Sequence, residues 1–198
     1  MIIKNATQSF VPINEIRNGI VILNDGSMRA LISCSSLNLS LKGEDEQMGI
    51  ITGFQSFLNS LDFNIQIFLQ STKLDIRGYL ELLKERQKLV EEDLLKIQIK
   101  EYIEFIQKFT EEQNIMTKSF YIVVPYEVPS LSSSAKTMTE GEFMKNESQL
   151  LQRVSIVTGG LTSLGLKLEL VKTEEVVNLF YKLFNPNELD TPVLNSNQ

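Results

Sequence analysis

Two acidic runs, Glu44-Asp45-Glu46 and Glu91-Glu92-Asp93, are the densest groups of side chains able to do chemistry. Carboxylates can hold a hard cation when a loop brings several oxygens to one point. Both runs fall on or at the start of expected helices and lack the loop spacing of a calcium site. Solvated helix faces account for them. Cys34 ends an apolar strand, and with no histidine to take its proton it reads as a small buried hydrophobe rather than a nucleophile. Arg153 lies beside an apolar helical stripe and is expected in a structural ion pair rather than at an anion site. A phosphate loop needs Gly-x4-Gly-Lys-Ser/Thr, so that backbone amides and a lysine meet the phosphates. The nearest string, Gly160-Leu161-Thr162-Ser163-Leu164-Gly165-Leu166-Lys167, has leucine where the lysine belongs and ends a helix instead of starting one. No Gly-x-Gly-x-x-Gly dinucleotide fingerprint occurs either.

Composition narrows the chemistry further. The 198 residues contain no histidine and one cysteine. Imidazole bases, His-ligated metals, disulfide frameworks and thiolate clusters are therefore excluded. Apolar residues make up 42% and charged residues 22%, enough for an ordinary core. Nineteen Lys and Arg stand against 25 Asp and Glu. That balance argues against direct nucleic-acid contact and against an anionic membrane surface. The start, Met1 to Gln8, is too polar for a secretory signal, and the longest apolar runs, Gly19 to Leu23 and Phe120 to Val124, are far short of the ~20 residues a membrane span needs. The expected location is cytoplasmic, with any membrane association through a partner.

The elements that must position these residues follow from periodicity. Ile20 to Leu23, Asn24-Asp25-Gly26-Ser27 and Met28 to Cys34 predict a hairpin with a tight turn at Asp25-Gly26. Residues 1–13, holding Pro12, read as an edge or lead-in. Glu44 to about residue 60 predicts a helix on Ile51, Phe54, Leu58 and Leu61, with Gly49 and Gly53 tolerated by packing. Phe63 to Ser71 alternates as a strand. Asp75 is a candidate N-cap with Leu74 and Tyr79 as a hydrophobic staple, and one long helix runs over about 76–113 to a stop at Asn114. Glu92–Lys96 and Glu104–Lys108 are placed to pair along it. Its apolar stripe shifts phase between Ile97 and Ile99, so at ~1.5 Å per residue this ~55 Å element must break or project.

Ser119 to Pro125 predicts a buried strand, and residues 126–140, with Pro129 and Ser132-Ser133-Ser134, a long loop. Phe143, Leu150, Val154, Val157, Leu161 and Leu164 share a helix face, weakened at Gly159-Gly160 and stopped at Gly165. Leu166 to Val171 is a short strand, and a last helix capped by Thr173 ends at Asn185-Pro186. This order predicts an α+β fold: a single mixed, partly antiparallel sheet with flanking helices. Residues 1–186 form the domain and 187–198 a tail or linker.

Several phrases in order resemble the TraC-like amino-terminal region of conjugal transfer ATPases of type IV secretion systems. They include Phe10-Val11-Pro12-Ile13, Glu15 to Val21, Asp25 to Ala30, Ser36-Leu37-Asn38, Phe57 to Phe63, Phe120 to Tyr126, Leu150 to Val154 and Thr173 to Pro186. Together they cover most of residues 10–186. The resemblance implies a region that precedes the motor, docks it to inner-membrane secretion components and assists oligomerisation. It implies no catalysis here, because the motor's phosphate loop has no counterpart up to Gln198.

The reading is a non-enzymatic docking module, with Tyr102, Phe105 and Phe109 as the candidate partner surface. Its expected partners are a secretion ATPase motor and inner-membrane components, with homo-oligomers possible, and it would sit at the inner face of the membrane. No catalytic, cofactor-binding or metal-ligating residue is assigned. The alternative is a small carboxylate-dependent, metal-assisted enzyme.

Overall fold

In a computed structural model, residues 11–113, 115–128 and 138–185 are described. They form six strands and five helices: β1 (Ile13–Arg17), β2 (Ile20–Leu23), β3 (Met28–Cys34), α1 (Glu44–Ser60), β4 (Gln66–Lys73), α2 (Arg77–Leu89), α3 (Asp93–Gln113), β5 (Met116–Tyr126), α4 (Glu140–Thr162), β6 (Leu168–Leu170) and α5 (Thr173–Phe184). The expected stop at Asn114, the serine-rich stretch at 132–134 and the tail 187–198 lie outside the described residues. Two compact units emerge: residues up to Leu69 with those from Phe120 onward, and Gln70–Ser119 inserted between them in sequence.

The first unit is layered on a sheet of order β1-β2-β3-β5-β4, with β6 beside the end of β3. The α+β class is as expected, but the sheet is antiparallel rather than mixed. Alternation divides its side chains between two layers. Ile20, Ile22, Met28, Ala30, Ile32, Ile122 and Val124 face Phe57 of α1 and the α4 stripe Phe143, Leu150, Val154, Val157 and Leu161. Val21, Leu31 and Val171 face Val176 and Leu179 of α5.

Strand β1 escapes the sequence reading, which took residues up to 13 as a lead-in. Its hairpin with β2 turns on Asn18-Gly19, both at positive φ (53° and 76°), the two-residue turn that matches strand twist. The turn at Asp25-Gly26 is looser than expected. Gly26, at φ 83°, donates to Leu23 O, and Leu23 donates to Ser27 O, leaving a three-residue loop. Asp25 accepts from the Ser27 amide (2.9 Å) and hydroxyl (2.6 Å), which holds its carboxyl below the usual range.

Gly19 also packs tightly. Its N–H donates to Thr173 Oγ1 at 2.8 Å, and a Cβ there would stand 2.5 Å from Val171 O. Thr173 therefore serves β1–β2 rather than capping α5, whose N-cap position is Lys172. Gly19→Ala is expected to cost about 2–3 kcal/mol, from the left-handed conformation plus the displaced carbonyl. Urea unfolding checks this; a change below about 0.5 kcal/mol contradicts the packing described.

Helix α4 opens with a reciprocal cap. Thr139 Oγ1 accepts from the Glu142 amide at 3.3 Å, and Glu142 Oε2 accepts from the Thr139 amide at 2.9 Å. Thr139→Ala should cost ~1 kcal/mol at neutral pH. The Thr139 amide and hydroxyl hold the Glu142 carboxyl below its ordinary value. A depressed carboxyl contributes stability above its unfolded pKa and loses it as pH falls through the folded pKa. The Thr139→Ala penalty should therefore shrink on acidification; a penalty that grows at low pH contradicts the cap.

The glycines of the α1–α4 contact differ from expectation. Gly49 meets open space, but a Cβ on Gly53 would lie 2.6 Å from Leu164 Cδ2, and one on Gly160 2.4 Å from Phe57 Cδ2. Gly160 thus admits the Phe57 ring, whereas a methyl at Gly53 would displace only the end of the Leu164 side chain. Gly165, at φ 86°, follows the helix end as expected.

Candidate docking surface

The second unit carries a helical hairpin between the end of β4 and the start of β5. The single helix expected over 76–113 is two, α2 and α3, separated by Val90-Glu91-Glu92. The charges explain the break. Arg86 and Lys88 occupy the last turn of α2, and Asp93 the first turn of α3. Basic groups favour a helix C-terminus and acidic groups an N-terminus. The run Glu91-Glu92-Asp93 marks a new helix start, with Lys96 N–H donating to Glu92 O.

Asp75 accepts from the Arg77 amide at 3.0 Å and pairs with its guanidinium at 2.9 Å, but the N-cap position of α2 is Ile76. Leu74 and Tyr79, expected as a staple, are both exposed. The lysines of α3 pair as Lys96–Asp93, Lys100–Glu104 and Lys108–Glu112 instead of as expected, all at exposed positions where such pairs contribute little.

Helices α2 and α3 lie antiparallel. Gln87 Nε2 donates to Lys96 O (2.9 Å), and Tyr79 Oη donates to Tyr102 Oη (3.4 Å). That bond pushes the Tyr79 phenol above its ordinary value. Leu80 and Ile103 are buried, and Leu83, Ile99, Ile106 and Thr110 are half-buried at the spacing of one helix face.

A second apolar stripe on α3 faces outward. Tyr102, Phe105 and Phe109 are 44%, 59% and 43% exposed. The Phe105 and Phe109 rings stack with centroids 5.8 Å apart. Leu94 continues the stripe toward the helix start. One stripe packs the hairpin; the other stays at the surface and meets α2 through the Tyr102 hydroxyl, which accepts from Tyr79. Burial is the usual fate of aromatics, and here the structure brings all three candidates together on the surface.

The remaining candidates behave as structural groups. Cys34 is half-buried, its thiol donates to Ser35 O at 3.3 Å, and burial raises its pKa, so it stays protonated. Arg153 makes no ion pair among the described residues. Its Nη1 donates to Pro125 O at 2.6 Å, and its guanidinium lies 4.8 Å from the Phe63 ring centroid and 5.3 Å from that of Tyr126. The ion pair expected for it is replaced by a carbonyl and two aromatic faces. Glu44-Asp45-Glu46 occupies the first turn of α1. Among the described residues, no group of three carboxylate or thiol side chains is close enough to hold a metal ion. No helix there is long and apolar enough to cross a membrane.

These features define an open-sheet α+β domain with an inserted helical hairpin that displays aromatic side chains. A family model of the archaeal TraC-like domain matches residues 14–186, which takes in both units and the whole of α3. The chain belongs to the archaeal TraC-like domain family. No curated protein sequence matches it significantly.

Proposed function

We propose that this chain is a non-enzymatic docking module of a conjugation or type IV secretion apparatus, and that the outer stripe of α3 is its partner surface. The observation that carries this reading is the second stripe itself. Tyr102, Phe105 and Phe109 lie within two turns on a helix whose other face already packs the hairpin. Exposed aromatics so clustered are the side chains that dominate protein interfaces. Membership in the TraC-like family supports a role in conjugation or secretion. The partner is the motor portion of a secretion ATPase or an inner-membrane component, and through it the domain reaches the inner face of the membrane.

The test is co-purification from cells that carry the apparatus. Tagged wild-type chain should bring down a secretion ATPase or inner-membrane subunit, and the variant Tyr102→Ala/Phe105→Ala/Phe109→Ala should not. Equal recovery of those subunits by both chains would refute the surface.

A further inference from the structure

We infer that the free edge of β4 pairs with β4 of a second copy of this chain, joining two sheets across a two-fold axis. Strand β4 ends the sheet path, so among the described residues its outer edge has no strand partner. Such edges are normally protected by charges, proline or a bulge. This one is not: Asn64 to Thr72 carries neither a charged residue nor a proline. Ile67 and Leu69 stand 63% and 50% exposed on it.

Apolar side chains border clefts on both faces of this edge. On the α1 side, Ile65 and Ile67 border a cleft of ≈ 310 Å³ that also contains Phe54 and Phe120. On the α5 side, Gln66 and Phe68 border another of ≈ 390 Å³ with Phe180 and Phe184.

The order of residues selects the occupant. Gln66-Ile67-Phe68-Leu69-Gln70 has the same order of polar, aliphatic and aromatic residues in both directions. An antiparallel two-fold centred on Phe68 sets Gln against Gln, Ile67 against Leu69 and Phe68 against its own copy. Like polarity then meets like polarity at every pair, and no charges are opposed.

The backbone permits this register. Leu74 N–H donates to Ile115 O, and the Phe68 and Tyr121 rings stack with centroids 6.1 Å apart. Both contacts fit one antiparallel alignment of β4 with β5. The peptide groups of even-numbered residues in β4 then face β5, and those of Ile67, Leu69 and Ser71 point to the open edge. Pairing about Phe68 joins Ile67 of one copy to Leu69 of the other by both ladder bonds.

The test uses the 198-residue chain. Sedimentation of the wild type should show dimers that dissociate on dilution. Leu69→Pro removes an outward N–H that β5 does not use, and it should weaken dimerisation at least about tenfold with the fold intact by circular dichroism. Ile67→Lys, which needs no backbone change, should do the same and replaces Leu69→Pro if that chain misfolds.

With Cys34→Ser as background, Phe68→Cys should form a disulfide dimer under mild oxidation, because the two α-carbons fall within bridging distance. Thr72→Cys should not, because its copy lies at the far end of the paired strands. If Phe68→Cys misfolds, an equal mixture of Ile67→Cys and Leu69→Cys chains should cross-link where neither does alone. A wild type that stays monomeric at every concentration, a dimer untouched by folded Leu69→Pro or Ile67→Lys, or equal cross-linking through Thr72→Cys would each overturn the inference.

Discussion

Alanine at Phe57 is expected to lower the unfolding free energy by about 3–5 kcal/mol, a large share of the ~5–15 kcal/mol that holds a domain together. The ring is 5% exposed and joins α1 to the α4 stripe. It lies where a Cβ on Gly160 would come within 2.4 Å of Cδ2 and 3.0 Å of Cε2. Two opposed effects therefore meet at Gly160. Alanine would favour the helix by ~1 kcal/mol, but forcing a methyl against a buried ring costs about 1–3 kcal/mol, and the clash wins.

In the Phe57→Ala background the ring is gone, and the same substitution should turn stabilising. The pair should show a coupling of about 2 kcal/mol in a double-mutant cycle followed by urea unfolding. Gly159, one residue earlier, meets open space, so Gly159→Ala should stabilise by up to ~1 kcal/mol in either background. Additive effects at Phe57 and Gly160 would contradict the contact.

The second large effect is on binding. Truncating Tyr102, Phe105 and Phe109 together should weaken the proposed partner complex by roughly a thousandfold, about 4 kcal/mol, if each aromatic contributes as an interface anchor commonly does. Stability should hardly change. The three side chains are exposed, whereas the hairpin packs through Leu80, Ile103 and their neighbours. Tyr79 loses its hydroxyl partner, so its raised phenol pKa should return toward the ordinary value. A triple variant that unfolds would mean that the stripe serves the fold instead. Titration of affinity alongside thermal unfolding separates the two.

Residues whose position is decided locally were legible in the sequence. The span of α1 from Glu44 to Ser60 follows from its acidic first turn and apolar period, and β2 and β3 from the apolar runs on either side of Asp25-Gly26. Other local signals were present but outweighed. Asn18-Gly19 announces the β1–β2 turn, yet Pro12 had reduced residues up to 13 to a lead-in. Basic Arg86 and Lys88 followed by acidic Glu91 to Asp93 spell a helix end and a helix start, yet continuous helical spacing carried the reading across them.

What could not be read depends on distant chain. Nothing near Gly160 in sequence reveals Phe57, and nothing near Arg153 reveals Phe63 or Pro125. The candidate surface was half legible. Spacing puts Tyr102, Phe105 and Phe109 on one side of a helix, but only the break into α2 and α3 shows that a different side meets the hairpin partner.

The most direct test of the docking surface is site-specific photo-cross-linking in cells that carry the secretion apparatus. A photoreactive phenylalanine analogue at Phe105 is compared with the same analogue at Gln55, an exposed position on α1. The docking account predicts that Phe105, and not Gln55, captures a secretion ATPase or inner-membrane subunit identifiable by mass spectrometry. Capture of that subunit from Gln55 alone, or from neither position while the apparatus is assembled, would contradict it.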